Sequence, residues 1–331
     1  MEIRTLGDTD LPVSVIGLGM AALGRPGYIN LGHADDLDHT YDVQAMEAHA
    51  HHVLDVAYAG GVRYFDAARS YGKAERFLGR WLTGRSIPPD AVTIGSKWGY
   101  TYTADWKVDV EVHEVKEHSL AVLERQWDET QETLGSRLDL YQIHSATLQS
   151  GVLERTEVLQ ALARLKSGGT AIGLTVSGPH QREVIERAIE VTIDGVRLFD
   201  TVQATWNLLE SSTTPALASA HRAGMGVIVK EALANGRLTP KNDNPDFRAQ
   251  RAKLQSEADR LNTTIDALAL AAVIDQPWVS LVLSGAAKET HLISNLKAVD
   301  VAWDREAAAA LADLVEPPGT YWHIRDQLEW N

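Results

Sequence analysis

Residues 61–72 read Gly61-Val62-Arg63-Tyr64-Phe65-Asp66-Ala67-Ala68-Arg69-Ser70-Tyr71-Gly72, and the fold turns on how this stretch is parsed. Val62, Tyr64 and Phe65 have the composition of a short buried strand, and Gly60-Gly61 punctuates its start. The strand runs straight into Asp66, and Tyr71 follows in the next loop. A carboxylate at a strand end with a phenol just beyond it suits the mouth of a βα barrel, where strand ends face substrate. By itself the pattern also reads as a loop aspartate capping a helix and a tyrosine packed at the surface. The flanking chain decides between these readings.

Downstream, a helix over Ala74–Leu82 is broken at Ser86-Ile87-Pro88-Pro89. Val92–Ser96 then forms a strand that delivers Lys97. A polar, aromatic loop with Trp98, Tyr100, Tyr102 and Trp106 leads to a helix predicted from about Val115 to Leu134, closed by Gly135. Leu138–Ile143 is the next strand and delivers His144. The alternation continues through strands starting at Ala171, Phe199, Met225 and Val279, with a long loop expected after Lys230 and a helix over Ile265–Ile274.

Upstream, Glu2–Leu6, the turn Gly7-Asp8-Thr9-Asp10 and Pro12–Val15 form a hairpin, and Ile16–Met20 is a barrel-type strand. Residues 24–42 form a long polar loop, of a length usually functional or mobile. Asp42 caps a helix whose apolar face carries Met46, Ala50, Val53 and Ala57. Eight strand starts, at Ile16, Val62, Val92, Leu138, Ala171, Phe199, Met225 and Val279, are each followed by a helical stretch. That rhythm predicts an α/β fold, a (β/α)8 TIM barrel with an N-terminal β-hairpin and long loops over its C-terminal mouth. No Gly-Ser or Pro-rich linker divides residues 1–331, so a single barrel domain is expected.

Composition narrows the function. The 331 residues are 44% hydrophobic, enough for a sizeable core, and contain no cysteine. That excludes disulfides, thiolate nucleophiles and cysteine–zinc sites. A formal net charge of −14 argues against nucleic acid as a partner, while leaving room for a small anion in a local basic pocket. Met-Glu-Ile-Arg is not a secretion signal, and no apolar run reaches the roughly 18 residues of a membrane span. A cytoplasmic protein is expected, with no membrane partner. His49, His51 and His52 share one helix, but no carboxylate pattern accompanies them, so no metal site is expected.

Asp66, Tyr71, Lys97 and His144 all fall at or just after strand ends, on adjacent strands, and would converge at one mouth. A lysine beside a phenol favours the phenolate and lowers the tyrosine pKa from its usual value near 10. An aspartate keeps the lysine charged, and a histidine can orient a carbonyl oxygen. Tyr71 would then act as general acid for a carbonyl receiving a hydride, and as general base in reverse.

With those residues assigned, the chain resembles the aldo-keto reductases over nearly all its length. The motifs are Leu-Gly-x-x-x-Leu at 6–11 followed by Ile-Gly-Leu-Gly, Gly-Val-Arg-Tyr-Phe-Asp-x4-Tyr-Gly at 61–72, Ser96-Lys97 and Leu-Asp-Leu-Tyr-Gln-Ile-His at 138–144. Gln203 with Asn207-Leu208-Leu209, and Ser-Gly-Ala-x5-Leu-x-x-Asn-Leu at 284–296, complete the set. The resemblance implies an NADP-dependent oxidoreductase with the tetrad Asp66, Tyr71, Lys97 and His144. It implies NADPH (with NAD as the variant choice) extended across the barrel mouth, and Ser177 and Gln203 on the nicotinamide carboxamide. Backbone amides from Leu233 through Asn235 to Gly236 would cradle the pyrophosphate, with Arg237 close by.

Several positions depart from the family pattern. Gly178 stands where asparagine is usual. Lys230 stands where an aromatic residue commonly stacks on the nicotinamide; either Trp206 takes that role or Lys230 simply pairs with Glu231. Near the adenosine phosphate, Gly285, Lys288 and Asn295 fit, but His291 and Ser294 replace the usual arginine and glutamate. A lone Lys288 predicts an NADPH preference of roughly 10–100-fold, modest for the family. Tyr28, Trp98 and Trp206 are candidates to line the substrate pocket, and a sugar, an aromatic aldehyde or another flat carbonyl compound would suit such walls. The loops at 24–42 and 100–114 and the tail at Gly319–Trp322 are candidates to cover it. A competing reading is a nucleotide-binding regulatory or channel-associated subunit with little turnover. Sequence does not assign the oligomeric state or the physiological direction.

Overall fold

The computed structural model describes residues 1–331. Eight parallel strands close into a barrel: β1 Ile16–Gly19, β2 Tyr64–Asp66, β3 Thr93–Trp98, β4 Leu140–Ala146, β5 Ala171–Val176, β6 Thr201–Thr205, β7 Gly226–Lys230 and β8 Leu281–Ser284. Each begins within two residues of its expected start. Neighbours follow chain order, and β8 returns to β1 with Val282 opposite Ile16 and Ser284 opposite Leu18. The strands are buried almost throughout, as parallel strands wrapped by helices must be.

The main helices are α1 Val43–Ala59, α2 Ala74–Gly84, α3 Leu120–Thr133, α4 Thr156–Ser167, α5 Gln181–Glu190, α6 Thr214–Arg222, α7 Arg248–Arg260, α8 Ile265–Ile274, α9 Glu289–Leu296 and α10 Pro318–Asp326. Asp42 caps α1 as expected, accepting from the amides of Gln44 at 2.9 Å and Ala45 at 3.0 Å. Met46, Ala50, Val53, Leu54 and Ala57 bury the inner face of α1. Each large side chain among them contributes roughly 1.5–3 kcal/mol.

Two expectations change. Residues 114–116 are not helical: they pair antiparallel with Tyr100–Tyr102, and α3 starts only where Ser119 accepts from the Val122 amide. Ser119 offers a cap and Val115 sits exposed on the ribbon, so the helix begins after both. The long loop after β7 contains α7. That helix buries only Leu254, Glu257 and Ala258 and is otherwise charged, so it lacks a readable apolar face.

The N-terminal hairpin pairs Ile3–Thr5 with Pro12–Ser14 and closes the end of the barrel opposite the site. Leu6 and Val13 pack with Tyr64, Leu140, Ile228 and Leu281 in one buried cluster. The Thr93 hydroxyl, at the start of β3, ties the hairpin down by donating to the Pro12 carbonyl at 2.7 Å. No helix is long and apolar enough to cross a membrane.

Candidate active site

The C-terminal ends of the strands open into one cavity of about 710 Å³, within the ~300–1,000 Å³ of ligand clefts. Asp66 ends β2. Beyond it the Ala67 and Arg69 amides donate to the Gly95 and Lys97 carbonyls, so the loop tracks β3 before turning at Ala68–Tyr71. That path brings Tyr71 over Lys97, whose ammonium lies 4.7 Å from the phenol ring centroid. His144, from β4, stands edge-on to Tyr71 with ring centroids 5.4 Å apart. Asp66, Tyr71 and His144 line the cavity, and Lys97 lies completely buried beneath them.

Asp66 is the hub of this floor. Lys97 donates to its Oδ2, while the Tyr64 hydroxyl (3.1 Å), Gln142 Nε2 (3.2 Å) and Gln203 Nε2 (3.2 Å) donate to Oδ1. Gly95 is required here, because a Cβ on it would lie 2.4 Å from the Tyr64 hydroxyl. Lys97 also donates to the Ala67 carbonyl at 2.9 Å.

The electrostatics correct one expectation. The Tyr71 phenol is pushed well above its usual pKa, first by burial and then by the negative charge of Asp66, with Arg25 opposing. The Lys97 ammonium beneath the ring is paired with Asp66, so its positive charge reaches the phenol together with the carboxylate's negative one. Burial lowers the Lys97 ammonium, and Asp66 counters that loss. His144 is driven well below its ordinary value by burial and by the charges of Lys97, Lys230 and Arg25. The resting site thus holds a protonated phenol beside a neutral imidazole.

Along the cavity, Ser177, Gln203, Lys230, Leu233, Asn235 and Gly236 line one stretch, and Gly285, His291 and Asn295 line another. Lys230 donates to Ser177 Oγ and Thr205 Oγ1, both at 3.1 Å, and lies 4.0 Å from Glu231. Burial, only partly offset by Glu231, brings the Lys230 ammonium down to about 8. Burial alone would raise Glu231, but the charges of Lys230 and Arg325 and the hydrogen bonds of Thr205 and Arg325 hold it at about 2. The pairing alternative for Lys230 is the one realised.

Besides the buried Lys97, four expected residues are not on the wall. Trp98 is fully buried with its ring against His118, because successive strand side chains alternate and Lys97 already faces inward. Trp206 packs edge-on to Trp278 and donates to Thr214 Oγ1, which turns it away from the cavity. Arg237 forks onto the Glu316 carboxylate. Lys288 reaches across to the 24–42 loop, donating to the Asp35 carbonyl at 2.7 Å and to Asp38 at 3.0 Å. The tail also differs: Tyr321 and Trp322 are buried in α10, and Arg325, Asp326, Leu328 and Trp330 reach the cavity instead.

Tyr28 does line the cavity, together with Arg25, Tyr100 and Glu114, which sequence reasoning missed or left unassigned. Arg25 and Glu114 lie 89 positions apart and bond at 2.8 Å. Opposite charges on two loops flanking the same mouth were the sole signal available. The three histidines of α1 are each engaged singly, by the Ala287 carbonyl, the Phe77 carbonyl and Glu289. No group of three or more metal-ligating side chains is assembled anywhere.

The fold is thus a closed (β/α)8 barrel with this constellation at its mouth. The family model for the aldo/keto reductase family matches residues 15–316, and the chain belongs to that family. It is 25% identical over 299 residues to pyridoxal 4-dehydrogenase of Microbacterium luteolum, covering 80% of this chain and 81% of that one. It is 24% identical over 335 residues to L-galactose dehydrogenase of Arabidopsis thaliana, covering 96% and 95%. An aldo-keto reductase from Bacillus halodurans, solved in its holo form, shares the fold with a TM-score of 0.74 at 21% identity, covering 96% and 97%. Membership of the family, with relatives named as dehydrogenases, makes the protein an oxidoreductase; the family acts on small carbonyl compounds and generally uses a nicotinamide cofactor.

Proposed function

We propose that this protein reduces an aldehyde or ketone, or oxidises the corresponding alcohol or sugar, with Tyr71 as the general acid and base. The observation that carries this reading is the convergence of Tyr71, His144 and Asp66 on one cavity, with Lys97 buried beneath them and paired with Asp66. A buried, protonated phenol is the form that donates to a developing alkoxide. The neutral His144 can hold the carbonyl oxygen by a hydrogen bond without competing for its proton. Asp66 keeps Lys97 in place beneath the ring.

The cavity suits a dinucleotide. Asn235 Oδ1 and Asp266 Oδ1 are buried, lie on its lining residues and lack partners. A Cβ at Gly285 would meet nothing within 4 Å, so the wall there is open for a ligand to approach the backbone. Ser177, Gln203 and Lys230 would hold the nicotinamide end. Leu233, Asn235 and Gly236 would hold the pyrophosphate, and Gly285, His291 and Asn295 the adenosine end. The nicotinamide, when bound, supplies or accepts the hydride.

NADPH is the proposed cofactor, with NADH close behind, since Lys288 and Lys241 are both engaged by loop aspartates. The proposed setting is a single barrel domain in the cytoplasm. The names of the two dehydrogenase relatives favour a small hydroxylated or aromatic carbonyl compound, which the walls formed by Tyr28, Tyr100 and Trp330 accommodate. The deciding experiment incubates purified protein with NADPH or NADH and a panel of aldehydes, ketones and sugars. Turnover of at least one compound is expected. Tight cofactor binding with none turned over would favour the binding-subunit reading.

A further inference from the structure

Arg25 sits in the loop that follows β1, and nothing in the tetrad chemistry requires it. It is 3% exposed although it lines the cavity. Its Nη1 donates to the Ser70 carbonyl at 3.0 Å and to Glu114 Oε2 at 2.8 Å. The guanidinium carbon lies 5.3 Å from the Tyr71 ring centroid, 5.2 Å from that of Tyr28 and 4.7 Å from that of Trp330. A buried cation is thus enclosed by three aromatic faces, one of them belonging to the residue that exchanges the proton. Cations over rings are attracted to them, more strongly once water is excluded.

The charges around Tyr71 separate into three groups. On the barrel floor, Asp66 and Lys97 cancel as a pair, and His144 is neutral. From the end of β7, Glu231 is neutralised between Lys230 and Arg325. From the loops come Arg25, the phenol of Tyr28 and Glu114. Arg25 is therefore the cation stacked on Tyr71 that is not locked to a carboxylate on the barrel floor, and its partner Glu114 is half-buried on the rim.

We propose that Arg25 is a positioning residue for proton transfer, its guanidinium stabilising the Tyr71 phenolate from the loop side while Glu114 anchors it and moderates its effect. This rests on Tyr71 as the acid and base. In oxidation the alcohol proton passes to the phenolate oxygen as the hydride leaves carbon for the nicotinamide; reduction reverses both transfers. Stabilising the phenolate raises the fraction of enzyme competent for oxidation at a given pH. Burial, Asp66, Glu114 and Glu231 all push the Tyr71 phenol up, and the charge of Arg25 pulls it down.

The test is the pH dependence of kcat/KM for alcohol oxidation in wild type, Arg25→Met, Arg25→Lys and Glu114→Gln, with circular dichroism and cofactor fluorescence titration as controls on folding and binding. Arg25→Met is expected to move the apparent pKa of the rising limb up by on the order of one unit. Arg25→Lys should return it towards wild type. Glu114→Gln should move it down by a smaller amount, since one anion is removed. A merely structural role would lower rates at every pH without moving the limb. An unmoved limb in Arg25→Met, or an upward shift in Glu114→Gln, overturns the proposal. Tyr71→Phe, run in parallel, separates the two levels: activity retained there would sink the Tyr71 reading itself, whereas an inactive Tyr71→Phe with unmoved Arg25 profiles would sink only the role of Arg25.

Discussion

Lys97 and Asp66 form a closed ion pair beneath Tyr71, both fully out of water, with the Ala67 carbonyl taking a second proton of the ammonium at 2.9 Å. Removing one partner of such a pair strands a buried charge, which costs about 3–5 kcal/mol. Lys97→Met is therefore expected to lose stability by that order in denaturant unfolding. Replacing both residues, as Asp66→Asn with Lys97→Met, should recover most of the loss. A double variant no more stable than the single one would mean that Lys97 packs rather than neutralises.

Tyr71→Phe keeps the ring between Arg25, Lys97 and His144 and removes only the hydroxyl. Turnover should fall by about 10²–10⁴-fold, the usual worth of a positioned acid, with cofactor affinity nearly unchanged. Steady-state rates combined with fluorescence titration of NADPH give both quantities. Retention of most of the turnover would remove Tyr71 from its assigned role.

Cofactor preference is expected to be governed by carboxylates as much as by cations. Asp36 lines the cavity, nearly buried, and engages both Lys241 and His291. Lys288 is held outside the wall by Asp38. Lys288→Ala should then change the NADPH/NADH ratio by no more than about fivefold, the value of an exposed ion pair. Asp36→Asn removes a carboxylate from the wall and frees the Lys241 ammonium, while burial keeps the His291 ring on the neutral side, and should raise NADPH preference by on the order of tenfold, an effect that weakens with added salt. Catalytic efficiencies with both cofactors decide it; an Asp36→Asn enzyme that shifts towards NADH would mean the phosphate site lies elsewhere.

Acid sensitivity should come from two buried histidines. His33 is completely buried with neither ring nitrogen bonded, and burial brings it down to about 4. Burial brings His118 to about 4 as well, although its ring still reaches the His144 carbonyl at 2.9 Å. Between pH 6.5 and 4 the unfolded chain binds protons that the native state refuses, so stability is complete above about 6.5 and lost as pH falls. Each residue accounts for about 3 kcal/mol of that loss at most. Unfolding midpoints at pH 7 and 4.5 should show His33→Leu less acid-sensitive than wild type. An identical acid slope in the variant would show that His33 does not contribute.

Much of this arrangement was legible before folding, and the reasons are local. Asp66, Lys97 and His144 are read from short apolar runs that end in polar residues, and Asp42 from an apolar stripe preceded by a capping side chain. Trp98 was misread although the sequence contained the correction: on a strand that points Lys97 inward, the next residue must point out. α7 was missed because a helix that buries only three residues shows no period. Trp206 and Arg237 depend on Trp278 and Glu316, 72 and 79 positions away, which no local pattern names.

The sequence by itself determined the barrel, its eight strand starts and the identities of the four residues at its mouth, because strand period, glycine punctuation and residue type act over a few positions. Only the tertiary structure decided the electrostatics of that mouth. Whether Lys97 acts on Tyr71 or is consumed by Asp66, and whether Lys288 faces the cavity or the loop, depends on distances between segments far apart in the chain. The same holds for Arg25, brought by one loop against Glu114 of another and the Trp330 ring. Charge interactions depend on separation and on the water excluded between groups, and both are set only when the loops close over the barrel.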